Sequence, residues 1–577
     1  MKYKINAFFI IPGTLFLIQS TFAQNLTSKI YPKDYFQWPL GLSPSMSANY
    51  GELRPNHFHM GIDCRTEQKQ NQKVLAAAEG YIARVKIEPF GFGRCIYINH
   101  PNGLTTVYAH LNDFIPELEK YITATQYRLK SWRVNVEIPS GLFPVIKGQF
   151  IGYSGNTGGS QGPHLHFEIR DTKSEKVLNP QLFGLAVKDN VAPDITRLAL
   201  YDRNISTYEQ TPKMLALKKV NGIYSVSPSL IIVNTGKVSF SIGAVDRSSG
   251  SGNPNGIYEA VLYDNEKVVI GFQLNNIGYD ETRYLNAHID YKMRSSGGPY
   301  LQHLSKLPGY NYGVYEMKAG DGVINLEDDQ THAVKIEVKD ADGNISIIKL
   351  EVKRGTLLTP QSQNGGSPVN IHNTFYPGYI NVFENSNISC ELSENFLYDT
   401  IRFQYKEINS QSLFPIYQLH NASVPVHGYF PVKIRAVIPA DLKDKVVMKR
   451  SWNTKKDFSK AIAEGADKNW YMGKFREFGQ FQLMIDTIPP VITPAGFVNG
   501  MNCSKLKSIR FTVVDNTEEI KNFIATLDGN WLRFSNDKGR IFVYEFDEYC
   551  APGDHNLKIT VEDQVGNITV KEYTFTR

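Results

Sequence analysis

Two histidine-bearing fragments, His59-Met-Gly-Ile-Asp63 and His164-Leu-His166, supply side chains able to bind a metal ion. Successive side chains of an extended strand alternate between faces, so residues two or four apart project to the same side. On that reading His59 and Asp63 share a face. His164 and His166 share a face of the segment 162–170, with Leu165 and Phe167 turned the other way into apolar packing. Two such strands could converge on one ion. Two imidazoles and one carboxylate suit Zn2+ and leave a fourth position for water, as in a catalytic rather than a structural site. Gly61, between the ligands, would let substrate or a neighbouring strand approach closely. No His-Glu-x-x-His run occurs, so no helix-borne glutamate can take a proton from that water. A histidine must do so, since a neutral imidazole with a pKa of about 6.5 can accept a proton and later pass it to a leaving amine.

The elements that position these groups read as short strands and turns: Gly80–Val85, Gly91–Gly93, Ile98–His100, Thr106–Leu111, Lys147–Gly152 and Gly155–Gly158. Together with the HxGxD and HxH pair, and in this order, they resemble the lysostaphin/LytM-type zinc metallopeptidases, endopeptidases of bacterial peptidoglycan. The resemblance covers about residues 45–186. It implies one zinc ion held by His59, Asp63 and His166, with His110 and His164 as catalytic histidines, and amide hydrolysis by a metal-activated water. His164 is the preferred general base, leaving His110 to stabilise the oxyanion, although the reverse assignment is open. Some relatives have lost ligands and serve as binding regulators of other wall enzymes. Here every position is filled.

Other polar residues have competing readings. His57 lacks the Gly and Asp spacing that marks His59, and His100 precedes an Asn-Gly hairpin signal, which suits a structural hydrogen-bonding residue near the cleft. Arg54 and Asn56 could line a substrate groove or lie in a solvated loop. Glu168 would face the side of His166, either orienting a ligand or standing as a surface carboxylate. The stretch 112–144 departs from the family as an insertion beside the cleft. Glu117–Lys130 is compatible with a helix or lid whose Tyr121, Tyr127, Arg128, Lys130, Trp132 and Arg133 could touch a peptide or glycan, or with a disordered surface segment.

Lys2 and Lys4, the apolar stretch Phe8–Ile18 and Ser20-Thr-Phe-Ala23 read as a signal peptide, residues 1–23, cleaved after Ala23. No later run is long enough to span a membrane, so an exported protein, periplasmic or extracellular, is expected. At 42% hydrophobic and 21% charged the chain has ample core-forming capacity. Loss of two lysines with the leader takes the formal charge from +5 to +3, leaving 60 basic against 57 acidic residues. That small excess excludes a dedicated nucleic-acid binder. Five cysteines allow two disulfides, for which Cys64–Cys95 and Cys503–Cys550 are the candidate pairs, with Cys390 left over.

An internal repeat marks the remainder. Ile336-Glu-Val-Lys-Asp-Ala-Asp-Gly-Asn344 recurs as Ile559-Thr-Val-Glu-Asp-Gln-Val-Gly-Asn567, each a strand and turn leading into a second strand. Proline-marked starts at Asp189–Ile195 and Asp486–Ile492 echo each other, as in immunoglobulin-like sandwiches. The Asp-rich turns could hold calcium, but turn geometry alone accounts for Asp, Gly and Asn there. Thr359–Pro368 reads as a linker, Lys455–Glu464 as a short helix, and Trp470 and Tyr471 as core aromatics rather than carbohydrate-stacking residues.

The expected fold is mainly β: an N-terminal LytM-like antiparallel β-sheet metallopeptidase domain (24–186, insertion 112–144), then immunoglobulin-like sandwiches at 190–354 and 487–577 around a β-rich domain at 369–485. The expected function is secreted zinc-dependent cleavage of peptidoglycan cross-link peptides, with the C-terminal domains meeting envelope proteins. A non-catalytic scaffold regulating another wall hydrolase, or a zinc protease acting on ordinary proteins, are the alternatives.

Overall fold

The computed structural model describes residue 26 and residues 29–577, except 186, 188, 221, 250, 251, 312, 356–372, 466 and 467. The expected signal peptide and the Thr359–Pro368 linker lie outside the described residues. Short strands rich in β-branched and aromatic residues build the first domain: β1 (Met46–Ala48), β2 (Ile62–Arg65), β3 (Gly80–Ile87), β4 (Arg94–Asn99), β5 (Leu104–Ala109), β6 (Val134–Glu137) and β7 (His164–Asp171). They form one antiparallel sheet in the order β1-β2-β7-β5-β4-β3-β6. Leu165, Phe167 and Ile169 of β7 are buried in the apolar core with Ile62 and Cys64 of β2, so the intervening histidines face the other way. A second small sheet joins Lys73–Leu75, Phe150–Ser154 and Leu111–Phe114.

The expected insertion carries helix α1 (Pro116–Leu129). Pro116 fits the first helical position, where no N–H partner is required. Glu117 and Glu119 lie in the first turn and Arg128 in the last, each suited to the helix dipole. Lys130 ends the helix in the left-handed conformation, with the Ser131 N–H donating to Gln126 O. Leu118 and Ile122 point one stripe into the core.

Residues 194–354 form a five-stranded and a seven-stranded sheet over one core, 381–485 two five-stranded sheets, and 491–576 a three-stranded and a five-stranded sheet. The repeated turns join Thr331–Lys339 to Ile345–Arg354 and Asp554–Asp563 to Ile568–Thr576 as antiparallel hairpins. Two expectations are corrected. Lys455–Glu464 is not helical: Asn453, at φ 53°, and Thr454 turn the chain so that Lys455–Lys460 pairs with Val446–Trp452, and Ile462–Glu464 joins the other sheet. The cysteines are unpaired, because β7 and β5 separate Cys64 on β2 from Cys95 on β4. Cys503 and Cys550 sit unbonded in the last core. Tyr471 is buried in the third core.

Candidate metal centre

His59 does not lie on a strand with Asp63. It sits in the turn between His57–Phe58 and β2, and a tight bend at Met60–Gly61 brings it round to Asp63. Pairing of β2 with β7 sets His166 opposite Asp63. The result is a nearly equilateral triangle. His59 Nε2 lies 3.1 Å from His166 Nδ1, and Asp63 Oδ1 lies 3.0 Å from each. A tetrahedral ion with bonds of about 2.0–2.1 Å imposes donor separations of about 3.3 Å, so this donor set fits zinc closely.

The outer nitrogens are committed elsewhere. His59 Nδ1–H donates to Asn49 O at 2.7 Å, and His166 Nε2–H donates to Glu168 Oε1 at 3.0 Å. These bonds fix the tautomers that aim His59 Nε2 and His166 Nδ1 inward. Glu168 is fully buried and also receives Arg170 Nε, at 2.6 Å, and the Tyr279 hydroxyl. It is therefore no surface carboxylate but the base of a buried chain of partners. Burial opposes its ionisation, yet Arg170 and His166 hold it down to about 2. Burial likewise opposes charge on His166, but hydrogen bonds to Asp63 and Glu168 raise it to about 9. Asp63 is held well below the usual carboxylate range: burial works against this and the two imidazoles prevail.

His110 and His164 stand beside the triangle. His164 Nε2 is 3.5 Å from Asp63 Oδ1, and the His110 and His164 ring centroids are 4.8 Å apart. Each uses Nδ1–H on a backbone carbonyl: His110 on Thr157 O at 2.9 Å and His164 on Gly162 O at 2.8 Å. Each Nε2 is thus left unprotonated. Burial, then the neighbouring His166 and His164 charges, lowers His110 to about 3, and burial lowers His164. Both are neutral near pH 7, each with the Nε2 lone pair free to accept a hydrogen bond.

Of the remaining candidates Arg54 reaches this cluster, and His57, His100, Asn56 and Tyr127 do not. His57 is exposed, with Nδ1 on Pro55 O. His100 is buried between Glu79 O and Thr106 Oγ1 at the hairpin end of β5, the far end from His110, so it is structural but not near the cleft. Arg54 Nη2 donates to Asp63 Oδ2 at 3.0 Å, orienting the carboxylate. Asn56 accepts from Asn286 Nδ2 and ties its loop to the second domain. Tyr127 stacks on Tyr549 of the last domain at 3.5 Å and is committed there rather than to the cleft. Reading the sequence alone gave no sign of Tyr279, which reaches Glu168 from 111 residues away.

Residues 57–127 and 140–180 match the model of peptidase family M23. The chain carries a peptidase M23 domain. Residues 372–486 match a Zu5-like domain. The peptidase segment is 34% identical over 113 residues to DD-carboxypeptidase/endopeptidase Mpg of Neisseria meningitidis serogroup B, covering 20% of each chain. It is 28% identical over 138 residues to the cell division protein DipM of Caulobacter vibrioides, covering 24% of this chain and 18% of that one. The chain thus spans about a fifth of the length of the curated relatives it matches. The catalytic domain of lysostaphin from Staphylococcus simulans is 24% identical, with 24% of this chain and 91% of that one covered and a TM-score of 0.19.

Proposed function

We propose that this chain is an exported zinc-dependent endopeptidase that hydrolyses the peptide cross-links of bacterial peptidoglycan. The observation that carries the reading is the triangle of His59, Asp63 and His166 with two neutral histidines at its side. When bound there, zinc would polarise the scissile carbonyl and make water nucleophilic near neutral pH. The chain's own residues do the rest. Arg54 and Glu168 hold two of the three ligands in orientation. His164, the nearer of the two histidines to Asp63, accepts the proton of the attacking water at Nε2 and returns it to the leaving amine. His110, whose unprotonated Nε2 is likewise an acceptor, hydrogen-bonds to and orients the attacking water beside His164.

The relatives named as a DD-carboxypeptidase/endopeptidase and a cell division protein support a cell-wall substrate, and the intact donor set supports a catalyst over a ligand-free regulator. Export rests on the apolar leader-like residues 8–18, and among the described residues no helix is long and apolar enough to cross a membrane. The three following domains position the enzyme at the envelope or contact envelope proteins. The test is metal analysis of the purified chain followed by assay on wall fragments, comparing wild type with His166→Ala and His164→Ala. Zinc-dependent release of cross-link peptides supports the proposal. Zinc bound without cleavage favours a scaffold, and cleavage of casein but not muropeptides favours a general protease.

A further inference from the structure

Away from the peptidase site, two domains each gather three aspartates at one end. Asp189, Asp246 and Asp340 bring one carboxylate oxygen each within 4.8 Å of the others, and Asp486, Asp515 and Asp563 do the same. The two sets correspond member by member. Asp340 and Asp563 open the repeated turns, and the closing asparagine of each turn bonds the same two groups. Asn344 Nδ2 donates to Asp340 Oδ2 at 2.7 Å and to Asp189 O at 3.2 Å. Asn567 Nδ2 donates to Asp563 Oδ2 at 2.7 Å and to Asp486 O at 3.1 Å. Asp246 and Asp515 each follow a core strand, Lys237–Val245 and Ser508–Val514.

Turn geometry explains the oxygens of Asp340 and Asp563, which accept from backbone N–H groups of their own turns. It also accounts for one oxygen each of Asp189, Asp486 and Asp515, which accept from Val191, Ile488 and Thr517 N–H, but not for the remaining oxygens of Asp246, Asp486 and Asp515. Asp246 is 3% exposed, yet its Oδ1 is buried without a hydrogen-bond partner. Asn255, its antiparallel bridge partner, projects to the same side. Asn255 is 5% exposed, spends Nδ2 on Ser248 Oγ at 3.0 Å, and also leaves a buried Oδ1 without a partner. In the last domain Asp486, 1% exposed, has an unpartnered Oδ2, and Asp515 an unpartnered Oδ1. Among the described residues no lysine, arginine or histidine forms an ion pair with any of the six. Lys445, near the second cluster, donates instead to Val565 O at 3.2 Å. Buried carboxylates facing one another without a cation are costly, and two separate domains preserve the same arrangement.

We propose that each cluster is a calcium site that fixes the joint through which the chain enters the domain. The donors are all oxygen, which selects a hard cation over zinc, and Ca2+ accepts six to eight such ligands in flexible geometry. Three carboxylates form the core of each site, with the Asn255 amide oxygen beside the first and water completing the shell. In each copy one ligand, Asp189 or Asp486, comes from the segment leading in, and two come from the domain itself. The ion therefore staples the incoming chain to the sandwich it enters.

Calorimetric titration of the full-length zinc-loaded protein with CaCl2 tests this. Two ions should bind per chain, with Kd values of about 10⁻³ M or tighter, and calcium should raise Tm by several degrees. Asp246→Asn and Asp515→Asn should each remove one ion and leave zinc content unchanged. Absence of calcium uptake by the wild-type protein in the millimolar range overturns the proposal whether or not the variants fold. So does retention of both ions in the two variants.

Discussion

A Cβ on Gly61 would lie 2.5 Å from Phe167 O and 2.8 Å from His166 Nε2, so the bend that carries His59 to Asp63 has no room for a side chain. Gly61→Ala is expected to displace His59 or His166, lowering zinc affinity about 10–100-fold and stability by about 1–3 kcal/mol. Chelator competition and denaturant unfolding measure the two effects. His166 supplies a pH signature. Its pKa of about 9 in the metal-free protein means that a proton occupies the imidazole at pH 7 and must leave before Nδ1 can bind zinc. Zinc affinity should therefore fall about tenfold per unit as pH drops below 9, with about one proton released per zinc at pH 7. Titration in buffers of different ionisation heat reads that release. The spacing of His59, Asp63, His164 and His166 was legible in the sequence because each pair is local. The partners of Glu168 were not, since Arg170 is two residues away but Tyr279 arrives from another domain.

Strand β7 carries His164, His166, Glu168 and Arg170 on one face, and the alternation that predicts this is visible in the sequence. The loop 157–160 completes the arrangement. Thr157 O orients His110, and Ser160 Oγ lies 3.2 Å from His164 Nδ1. Lys538 of the last domain pins this loop through Gly158 O at 2.7 Å and Ser160 O at 2.8 Å. Lys538→Ala is expected to loosen both histidines, lowering kcat several-fold while zinc content holds. Steady-state kinetics beside metal analysis separates the two. The helix at 117–130 was one of two readings the sequence left open, beside a disordered segment, whereas the strand at Lys455–Lys460 was not legible, because its pairing across Asn453-Thr454 outweighs its helical composition.

The peptidase domain leans on its neighbours. Tyr50, Phe58 and Met60, which flank His59, are buried in the core of the second domain. Asn49, whose carbonyl holds His59, exchanges two hydrogen bonds of 2.8 Å with Gly256. The Phe58 N–H donates to Thr282 Oγ1 at 2.8 Å. A truncation ending at residue 186 would expose those apolar side chains and free the ligand-bearing turn. It is expected to bind zinc at least about tenfold more weakly and to unfold at lower temperature, as metal titration and calorimetry would register. Such long-range support leaves no local trace in a sequence, which is why the domain reads there as self-contained.

Peptide release from purified wall fragments, by wild type and His164→Ala loaded with equal zinc, bears most directly on the proposed chemistry. Wild type should liberate cross-link peptides, and His164→Ala should do so about 10²–10⁴-fold more slowly at unchanged zinc content. A wild-type protein holding one zinc per chain that releases no peptide, or a His164→Ala variant as fast as wild type, would contradict it.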